Sequence, residues 1–363
     1  MLPKWSKLSI FCFSGTGNSL TAAGWITKGF KENQIPAEVQ LVDRLKVTEV
    51  DNETPNQLIG FHYPTHGFNL PWHMLKFIWR FPRANQNRKY FYLLNTRAGA
   101  KVCKFFTPGI SGVAIFLPLL ILKCKGYRIA GILPLDPPSN WISLHPGFRV
   151  KVVNSIMERC ERITSKFSAN ILNGKRIVHP ATYLALPIDL ALIPITILYL
   201  LIGRFFLAKT FYASSSCNGC GICEINCPVG AIEIRDSRPY WKFRCESCMR
   251  CMNICPQKSI NTIHLYAVGI LWFIFGLPIS DITTTWIVNI SPAILGKFEG
   301  LIHLSVLTLY SLPTLWVSYH IIHFLGRFKI FNSLLIYTSL TRYWRRYIAP
   351  GFKAKSFSRK NFM

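Results

Sequence analysis

One cysteine pattern, C-x2-C-x2-C-x3-C-P, occurs twice in this 363-residue chain and constrains its fold more than any other feature. The first copy runs from Cys217 to Pro228 and the second from Cys245 to Pro256, and together they hold eight of the 12 cysteines. Each copy crowds three cysteines together, whereas zinc ribbons separate two C-x2-C pairs by a long gap. The repeat therefore predicts a small pseudo-symmetric metal module, with two zinc sites as the alternative to metal clusters.

This spacing is typical of bacterial two-cluster ferredoxins, in which three cysteines bind one 4Fe-4S cluster and the fourth binds the other cluster. We therefore expect two 4Fe-4S clusters in this chain. The ligands of the first cluster are predicted to be Cys217, Cys220, Cys223 and Cys255. The ligands of the second are predicted to be Cys245, Cys248, Cys251 and Cys227. The scattered cysteines are expected to be buried thiols, and they are Cys12, Cys103, Cys124 and Cys160.

Residues 1–176 alternate apolar runs with mixed helical segments. The predicted strands are Leu8–Phe13, Glu38–Val42, Leu58–Tyr63, Tyr90–Asn95 and Arg128–Leu133. The predicted helices are Ser19–Phe30, Pro71–Phe81, Ser111–Cys124 and Val150–Leu172. Strands that alternate with helices imply an α/β fold, a doubly wound parallel sheet with helices on both faces.

A loop rich in glycine and hydroxyl groups joins the first predicted strand to the first predicted helix. Its residues are Ser14, Gly15, Thr16, Gly17, Asn18 and Ser19. Loop amides and a helix N-terminus form an anion site. The loop lacks the lysine of a Walker A motif, and Leu20 replaces the third glycine of the dinucleotide fingerprint. Hydroxyls without a cation favour the monophosphate of FMN, and an ordinary turn is the alternative.

In a doubly wound sheet the ligand lies at the carboxyl ends of the strands. Two further strand ends are therefore expected to bracket the flavin ring through backbone donors. The first comprises Pro64, Thr65, His66 and Gly67, and the second comprises Asn95, Thr96, Arg97, Ala98 and Gly99. Residues 138–141 form a third candidate, in which Trp141 stacks near the ring or packs in a core. One hypothesis makes His66 a proton donor to reduced flavin, and the alternative is a plain surface residue.

These motifs together make the chain similar to fused flavodoxin–ferredoxin proteins. The loop from Ser14 to Ser19 resembles the flavodoxin phosphate loop, with serine at position 19 where flavodoxins usually have threonine. The resemblance covers residues 1–176 and 208–262. It implies a flavodoxin-like doubly wound sheet that binds FMN, followed by a small α+β ferredoxin domain with two 4Fe-4S clusters. Flavodoxins and ferredoxins are typically acidic, however, whereas this chain carries a net charge of +26.

Apolar runs in the last third of the chain predict a membrane region. Ser259–Ser280 and Gly300–Gly326 contain no formally charged residue, and each is long enough to cross a bilayer. A third run, Tyr183–Phe206, contains two prolines and Asp189, which favours a re-entrant or interfacial segment. The final residues, 327–363, hold nine Lys or Arg and no acid, so they are expected to be cytoplasmic.

We accordingly divide the chain into five parts. They are an FMN domain at 1–176, a re-entrant or interfacial helical segment at 177–207, a two-cluster ferredoxin domain at 208–262, a transmembrane helical hairpin at 263–326 and a basic cytoplasmic tail at 327–363. No export signal is recognised at the N-terminus, so the cofactor domains are expected on the cytoplasmic side of the cell membrane. A soluble core of unusual apolarity is the alternative for the membrane region.

The predicted function is electron transfer between FMN and the two clusters by a membrane-anchored protein. The alternative is a membrane-bound reductase of a quinone or another lipophilic substrate with the same cofactors. The basic charge favours anionic lipid and an acidic redox protein as partners. Helix 71–81 is expected either to lie on lipid or to cover its own sheet. Nucleic acid is not expected as a partner, because no reader motif is recognised.

Overall fold

The computed structural model describes residues 2–43, 54–84 and 89–354. The first domain begins with β1 (Lys7–Cys12), α1 (Asn18–Glu32), β2 (Ala37–Leu41), β3 (Gln57–Pro64), α2 (Trp72–Arg80) and β4 (Tyr90–Thr96). It continues with β5 (Ala100–Val102), β6 (Phe105–Thr107), α3 (Phe116–Cys124), β7 (Arg128–Leu135), α4 (Val150–Leu172) and β8 (Ile177–Val178). All five predicted strands are present, and their bounds agree with the expectation to within two residues.

The main sheet is parallel throughout and has the order β2-β1-β3-β4-β7-β8. The first five strands follow the flavodoxin-like order. In this order β2 is added on one side of β1 and the later strands on the other side, and this change of side leaves a crevice for a ligand beside β1. The central strands are buried on both faces, which explains their nearly continuous apolar sequences. The resemblance to a flavodoxin-like fold is therefore confirmed by topology.

Helices cover both faces of this sheet. Helices α1 and α4 pack on one face around Ile26 and Phe167, and α2 and α3 pack on the other around Phe77 and Leu122. The predicted helix 111–124 is shorter than expected, because Gly112–Ala114 forms a 3-10 turn before α3 begins.

Helix α2 covers its own sheet. Its side chains Met74, Phe77 and Ile78 are buried in the core, while Trp79 is 67% exposed. The structure thus supports the second of the two interpretations offered for this helix, since most of its apolar face is used within the protein.

Residues 177–207 fold as a chain of short helices, of which the first three begin at a proline: Pro180, Pro187 and Pro194. After β8 these are α5 (Ala181–Leu184), α6 (Leu186–Ala191), α7 (Ile193–Leu198), a π-helical turn (Tyr199–Gly203) and α8 (Arg204–Lys209). The first half packs on the parallel-sheet domain, where Asp189 Oδ1 accepts a hydrogen bond of 2.7 Å from the Gly112 amide. The second half packs on the apolar helices that follow, through Ile202 and Phe206.

The cysteine module is a compact pair of antiparallel ribbons. It contains β9 (Phe211–Ala213), α9 (Ile222–Ile225), β10 (Ile232–Arg235), β11 (Arg238–Trp241), α10 (Arg250–Ile254) and β12 (Ile260–Thr262). Strand β12 pairs with β9, and β10 pairs with β11. Because β12 uses Ile260–Thr262, the uncharged run that was expected to span from Ser259 begins its helix only at His264.

An antiparallel helical hairpin follows. Its elements are α11 (His264–Leu271), a π-helical turn (Trp272–Gly276), α12 (Ile279–Val288), α13 (Pro292–Leu295), a 3-10 turn (Gly296–Phe298) and α14 (Glu299–Leu325). Three hydrogen bonds join the two arms at successive levels along the hairpin. They link the hydroxyls of Tyr266 and Ser318 (2.8 Å), the Tyr310 hydroxyl and the Phe273 carbonyl (3.2 Å), and the side chains of His303 and Asp281 (3.0 Å).

Two continuous stretches of this hairpin, His264–Val288 and Pro292–Leu325, are long and apolar enough to cross a membrane. The first arm is not one straight helix, because the extended backbone at Leu277 breaks it before Pro278. Residues 281–299, between the two predicted uncharged runs, are mostly helical. The break at Leu277 arises from local backbone geometry that hydropathy does not encode.

The chain then returns over the cofactor domains. Helix α15 (Lys329–Tyr337) and a 3-10 turn (Leu340–Tyr343) precede an irregular stretch that reaches residue 354. Residues 327–354 of the predicted basic tail are folded, and they pack against the rest of the protein. The remainder of that predicted tail, 355–363, lies outside the described residues.

Candidate functional site

The four cysteines predicted for the first cluster surround one cavity. Cys217, Cys220, Cys223 and Cys255 all line it, together with both glycines of the first copy. Burial and the neighbouring thiols Cys217, Cys255 and Cys220 raise the pKa of Cys223 to about 12. The fold therefore brings together three cysteines from one copy and one from the other.

The second predicted set is also brought together. Burial, followed by the nearby thiols Cys227 and Cys248, raises the pKa of Cys245 well above its usual value. Cys251 lies close to both Cys245 and Cys248. Hydrogen bonds also reach two of these sulfurs, since the Ala231 amide donates to Cys227 at 3.1 Å and the Ser247 amide donates to Cys245 at 3.4 Å.

The backbone wraps around both cysteine sets in the same way. Gly219 and Gly221 of the first copy have φ values of 68° and 71°. The matching residues of the second copy, Ser247 and Met249, have φ values of 48° and 62°, which residues other than glycine rarely adopt. The same backbone conformation therefore surrounds both cysteine sets. In the second copy, Ser247 and Met249 also line a neighbouring cavity.

That neighbouring cavity lies at the carboxyl ends of the parallel strands. Most of the predicted flavin residues line it: Ser14, Gly15, Thr16, Asn18, Ser19, Pro64, Thr65, His66, Gly67, Thr96, Arg97 and Ala98. Three predicted residues do not line it. Gly17 is the N-cap of α1, the Asn95 side chain accepts a hydrogen bond from the Thr65 hydroxyl, and Gly99 forms an isolated β-bridge with Pro138.

The loop from Ser14 to Ser19 suits a phosphate. Within the described residues, the amides of Gly15, Thr16, Asn18 and Ser19 have no protein acceptor, whereas the Gly17 amide donates to Ser14 Oγ at 3.2 Å. Gly17 has a φ of 106°, a conformation that turns the chain into α1. Free amides next to a helix N-terminus fit a terminal phosphate that is bound without a cation.

The two other strand-end loops fit a flavin ring less simply than expected. The amides of Thr65, His66, Arg97 and Gly99 already donate to protein carbonyls. Of the backbone amides predicted to bind the flavin ring in these two loops, those of Gly67 and Ala98 therefore remain as candidates. The Arg97 guanidinium is likewise engaged, because it forms two hydrogen bonds of 2.7 Å with Asp136.

Among residues 2–43, 54–84 and 89–354, two buried polar atoms of the cavity lining have no hydrogen-bond partner. They are His66 Nδ1 and Ser247 Oγ. Such atoms are costly unless a ligand or water satisfies them. Burial also lowers the pKa of His66 to about 4, so its imidazole is neutral at pH 7. This disfavours the hypothesis that His66 releases a proton, and it fits a hydrogen-bonding role.

The cysteine module forms one wall of the flavin cavity. Ser247, Cys248 and Met249 line it beside the phosphate loop. A side chain at Gly15 would collide with the Cys248 carbonyl, so the loop and a ligand of the second predicted cluster are in direct contact. The flavin cavity and the second cluster site are consequently adjacent.

Charged groups fasten these two sites together. Arg250 donates hydrogen bonds to the carbonyls of Ser14 and Gly15 and pairs with Asp43 at 3.2 Å. Glu246, whose pKa burial raises, accepts hydrogen bonds from the first amides of α2, at Trp72 (3.1 Å) and His73 (2.8 Å). The two residues lie on either side of Cys248 in the second copy.

Sequence reasoning missed several lining residues. Tyr199 and Leu207 come from the apolar segment, and the Tyr199 ring packs directly on Gly67. No sequence signal identifies them, because their role depends on how that segment folds against the parallel-sheet domain. Trp141, for which two roles were considered, lines the cavity.

Comparison with known families supports the iron–sulfur part. A family model described as a 4Fe-4S dicluster domain matches residues 216–260. No curated protein matches the chain. The chain therefore combines a flavodoxin-like parallel sheet with an iron–sulfur module of the dicluster type.

Solved flavodoxins align with the first domain. A flavodoxin from the domain Archaea is 14% identical, with 46% of this chain and 98% of that chain covered and a TM-score of 0.31. Oxidised flavodoxin 1 from Bacillus cereus is 18% identical, with coverage of 45% and 97% and a TM-score of 0.30. Rubredoxin oxygen:oxidoreductase from Desulfovibrio gigas is 13% identical, with coverage of 46% and 37% and a TM-score of 0.29. The fold assignment itself rests on the strand order.

Proposed function

We propose that this protein transfers electrons between FMN and two 4Fe-4S clusters while a helical hairpin anchors it in the cell membrane. The observation that carries the proposal is the shared wall between the flavin cavity and the second cysteine set. Cys248 lines that cavity, and its carbonyl touches Gly15 of the phosphate loop. Adjacent redox sites provide a short route for electrons.

FMN exchanges electrons singly or in pairs when bound, and the clusters exchange them one at a time, so their combination converts between the two modes. The chain binds the phosphate through the amides of Gly15, Thr16, Asn18 and Ser19. His66 and Ser247 offer buried polar atoms toward the ring. Cys217, Cys220, Cys223 and Cys255 hold the first cluster, and Cys227, Cys245, Cys248 and Cys251 hold the second. The expected order along the path is flavin, second cluster, first cluster.

Membrane anchoring has its own support. Only 17% of the most apolar window of each candidate span is buried, whereas a core helix of a soluble protein is mostly buried. Helix α14 is about 40 Å long at 1.5 Å per residue, which exceeds the hydrocarbon core of about 30 Å. Exposed Ile330 and Tyr337 on α15 suit the interface next to that core. Both cofactor sites then lie on the cytoplasmic side, with anionic lipid and an acidic redox protein as partners.

The test is cofactor analysis of protein purified anaerobically in detergent. We expect about eight iron and eight sulfide per chain, from two four-iron clusters, with one FMN and no stoichiometric zinc. Cys248→Ser should lose about half of the iron, because it removes one ligand of the second cluster. Cys124→Ser is the matched control, since Cys124 is exposed on α3 and outside both sets.

Zinc in place of iron, or colourless protein despite exclusion of oxygen, would contradict the proposal. The reductase alternative predicts in addition a sustained NADH-dependent reduction of a quinone by the purified protein. Electron exchange with carrier proteins alone supports the electron-transfer role.

A further inference from the structure

The irregular stretch after the membrane hairpin crosses all the predicted cofactor sites. We call residues 344–352 the C-terminal strap. Arg345 fastens it to the first domain by two hydrogen bonds with Gly147: Arg345 Nε donates to the Gly147 carbonyl at 3.0 Å, and the Gly147 amide donates to the Arg345 carbonyl at 2.9 Å. From there the strap runs over the cysteine module.

Arg346 of the strap enters the cysteine module just after Cys255. Its Nη2 atom donates to the carbonyls of Lys258 (3.1 Å) and Ile260 (2.9 Å) and to Asn261 Oδ1 (3.1 Å). Its Nε and Nη1 atoms are buried and, within the part of the chain that the structure describes, have no hydrogen-bond partner. These contacts place the guanidinium against residues 258–261, directly after Cys255, with N–H groups to spare. Burial lowers the pKa of Arg346, and the thiols of Cys255 and then Cys251 oppose that shift.

The next residues of the strap reach the phosphate loop. The Tyr347 amide donates to Asn253 Oδ1 at 2.6 Å, and the Tyr347 hydroxyl donates to Asn18 Oδ1 at 2.6 Å. Asn18 in turn donates from Nδ2 to the Pro138 carbonyl at 2.9 Å. The Ala349 amide donates to the Thr16 carbonyl at 2.8 Å. The strap thus fixes both the backbone of the loop and the orientation of its asparagine.

Glycine at position 17 is required by this contact as well as by its φ of 106°. A Cβ atom there would lie 2.9 Å from the Ala349 side chain and 2.8 Å from that of Phe352. The loop and the strap are therefore in close contact.

We propose that the C-terminal strap is part of the redox site: Arg346 supplies positive charge and N–H donors to the cluster pair, and Tyr347 is a positioning residue for the phosphate loop. The inference rests on the proposed function, because it concerns the same cofactors. It makes flavin affinity and cluster potential depend on a segment that lies beyond the membrane hairpin.

The charge argument has a definite sign. A reduced cluster carries one more negative charge than an oxidised cluster, so a nearby guanidinium stabilises the reduced state. Arg346→Gln should therefore shift the midpoint potential of the cluster bound by Cys255 to a more negative value. Arg346→Lys keeps the charge and should give a smaller shift. Arg342→Gln is the matched control, since Arg342 is exposed and precedes the strap.

Tyr347→Phe removes one hydroxyl that orders Asn18. A neutral hydrogen bond contributes about 1 kcal/mol, which corresponds to a roughly fivefold rise in the Kd for FMN. Tyr343→Phe is the control, because Tyr343 is 66% exposed. FMN affinity is measured by fluorescence on adding FMN to flavin-depleted full-length protein, and potentials are measured by redox titration followed by EPR.

Both shifts together, with unchanged controls, support the proposal. An unchanged midpoint potential in Arg346→Gln, or an unchanged Kd in Tyr347→Phe, overturns it. If Arg346→Gln retains no iron, the test uses Arg346→Lys instead. A cluster midpoint potential below that of the wild type then supports the proposal, and an unchanged midpoint potential overturns it. Wild-type protein without flavin or iron would instead refute the proposed function, so the two failures are distinguishable.

Discussion

Single residues determine how the two cofactor sites meet. Gly15 permits the approach of the Cys248 carbonyl, and Arg250 donates to the carbonyls on either side of that contact. The cysteine ligands themselves could be predicted from sequence, because their spacing is dictated by the shape of the cluster. The links that Arg250 and Glu246 make to the first domain could not, because those partners lie more than 170 positions away in the chain.

Glu246 provides a test at this scale. Replacing it with alanine leaves two buried amides of the first turn of α2 without an acceptor, so we expect a loss of about 2 kcal/mol in the free energy of unfolding. Chemical unfolding of detergent-solubilised protein measures this loss. Glu158→Ala, on the exposed side of α4, should change the free energy by less than about 0.5 kcal/mol. Equal effects of the two changes would show that the link is unimportant.

At the scale of elements, periodicity and apolar runs predicted most of the structure. The strands of the parallel sheet and the length of α4 followed directly from sequence, since their burial is set by neighbours within one domain. Breaks were harder to predict. The interruption at Leu277 depends on backbone geometry, and the path of residues 344–354 depends on contacts with two other domains.

The hairpin gives the prediction for this scale. Cys103 and Cys124 are exposed on the first domain, and Ile290, at the turn of the hairpin, is 67% exposed. A membrane-impermeant maleimide should label the two native cysteines only in inverted vesicles. Ile290→Cys, in a background with both cysteines changed to serine, should be labelled only in right-side-out vesicles. Labelling of all three positions from one side would mean that the hairpin does not cross the membrane.

At the scale of the whole molecule, the apolar segment at residues 177–207 joins the predicted flavin cavity to the helical hairpin. Tyr199 lines that cavity, while Ile202 and Phe206 pack against the hairpin. Sequence could predict each of these parts but not their arrangement, since no repeat or motif records which domains touch. The contact between the phosphate loop and the second cysteine set emerged only from the fold.

The most direct test of this arrangement is a single-turnover measurement of electron transfer within one protein molecule. The flavin is photoreduced in anaerobic, dilute protein, and bleaching of the cluster absorbance is followed with time. We expect first-order bleaching whose rate does not depend on protein concentration, and we expect Cys248→Ser to abolish the fast phase while Cys124→Ser retains it. A bleaching rate that rises in proportion to protein concentration would show that electrons pass only between molecules, and it would contradict the account.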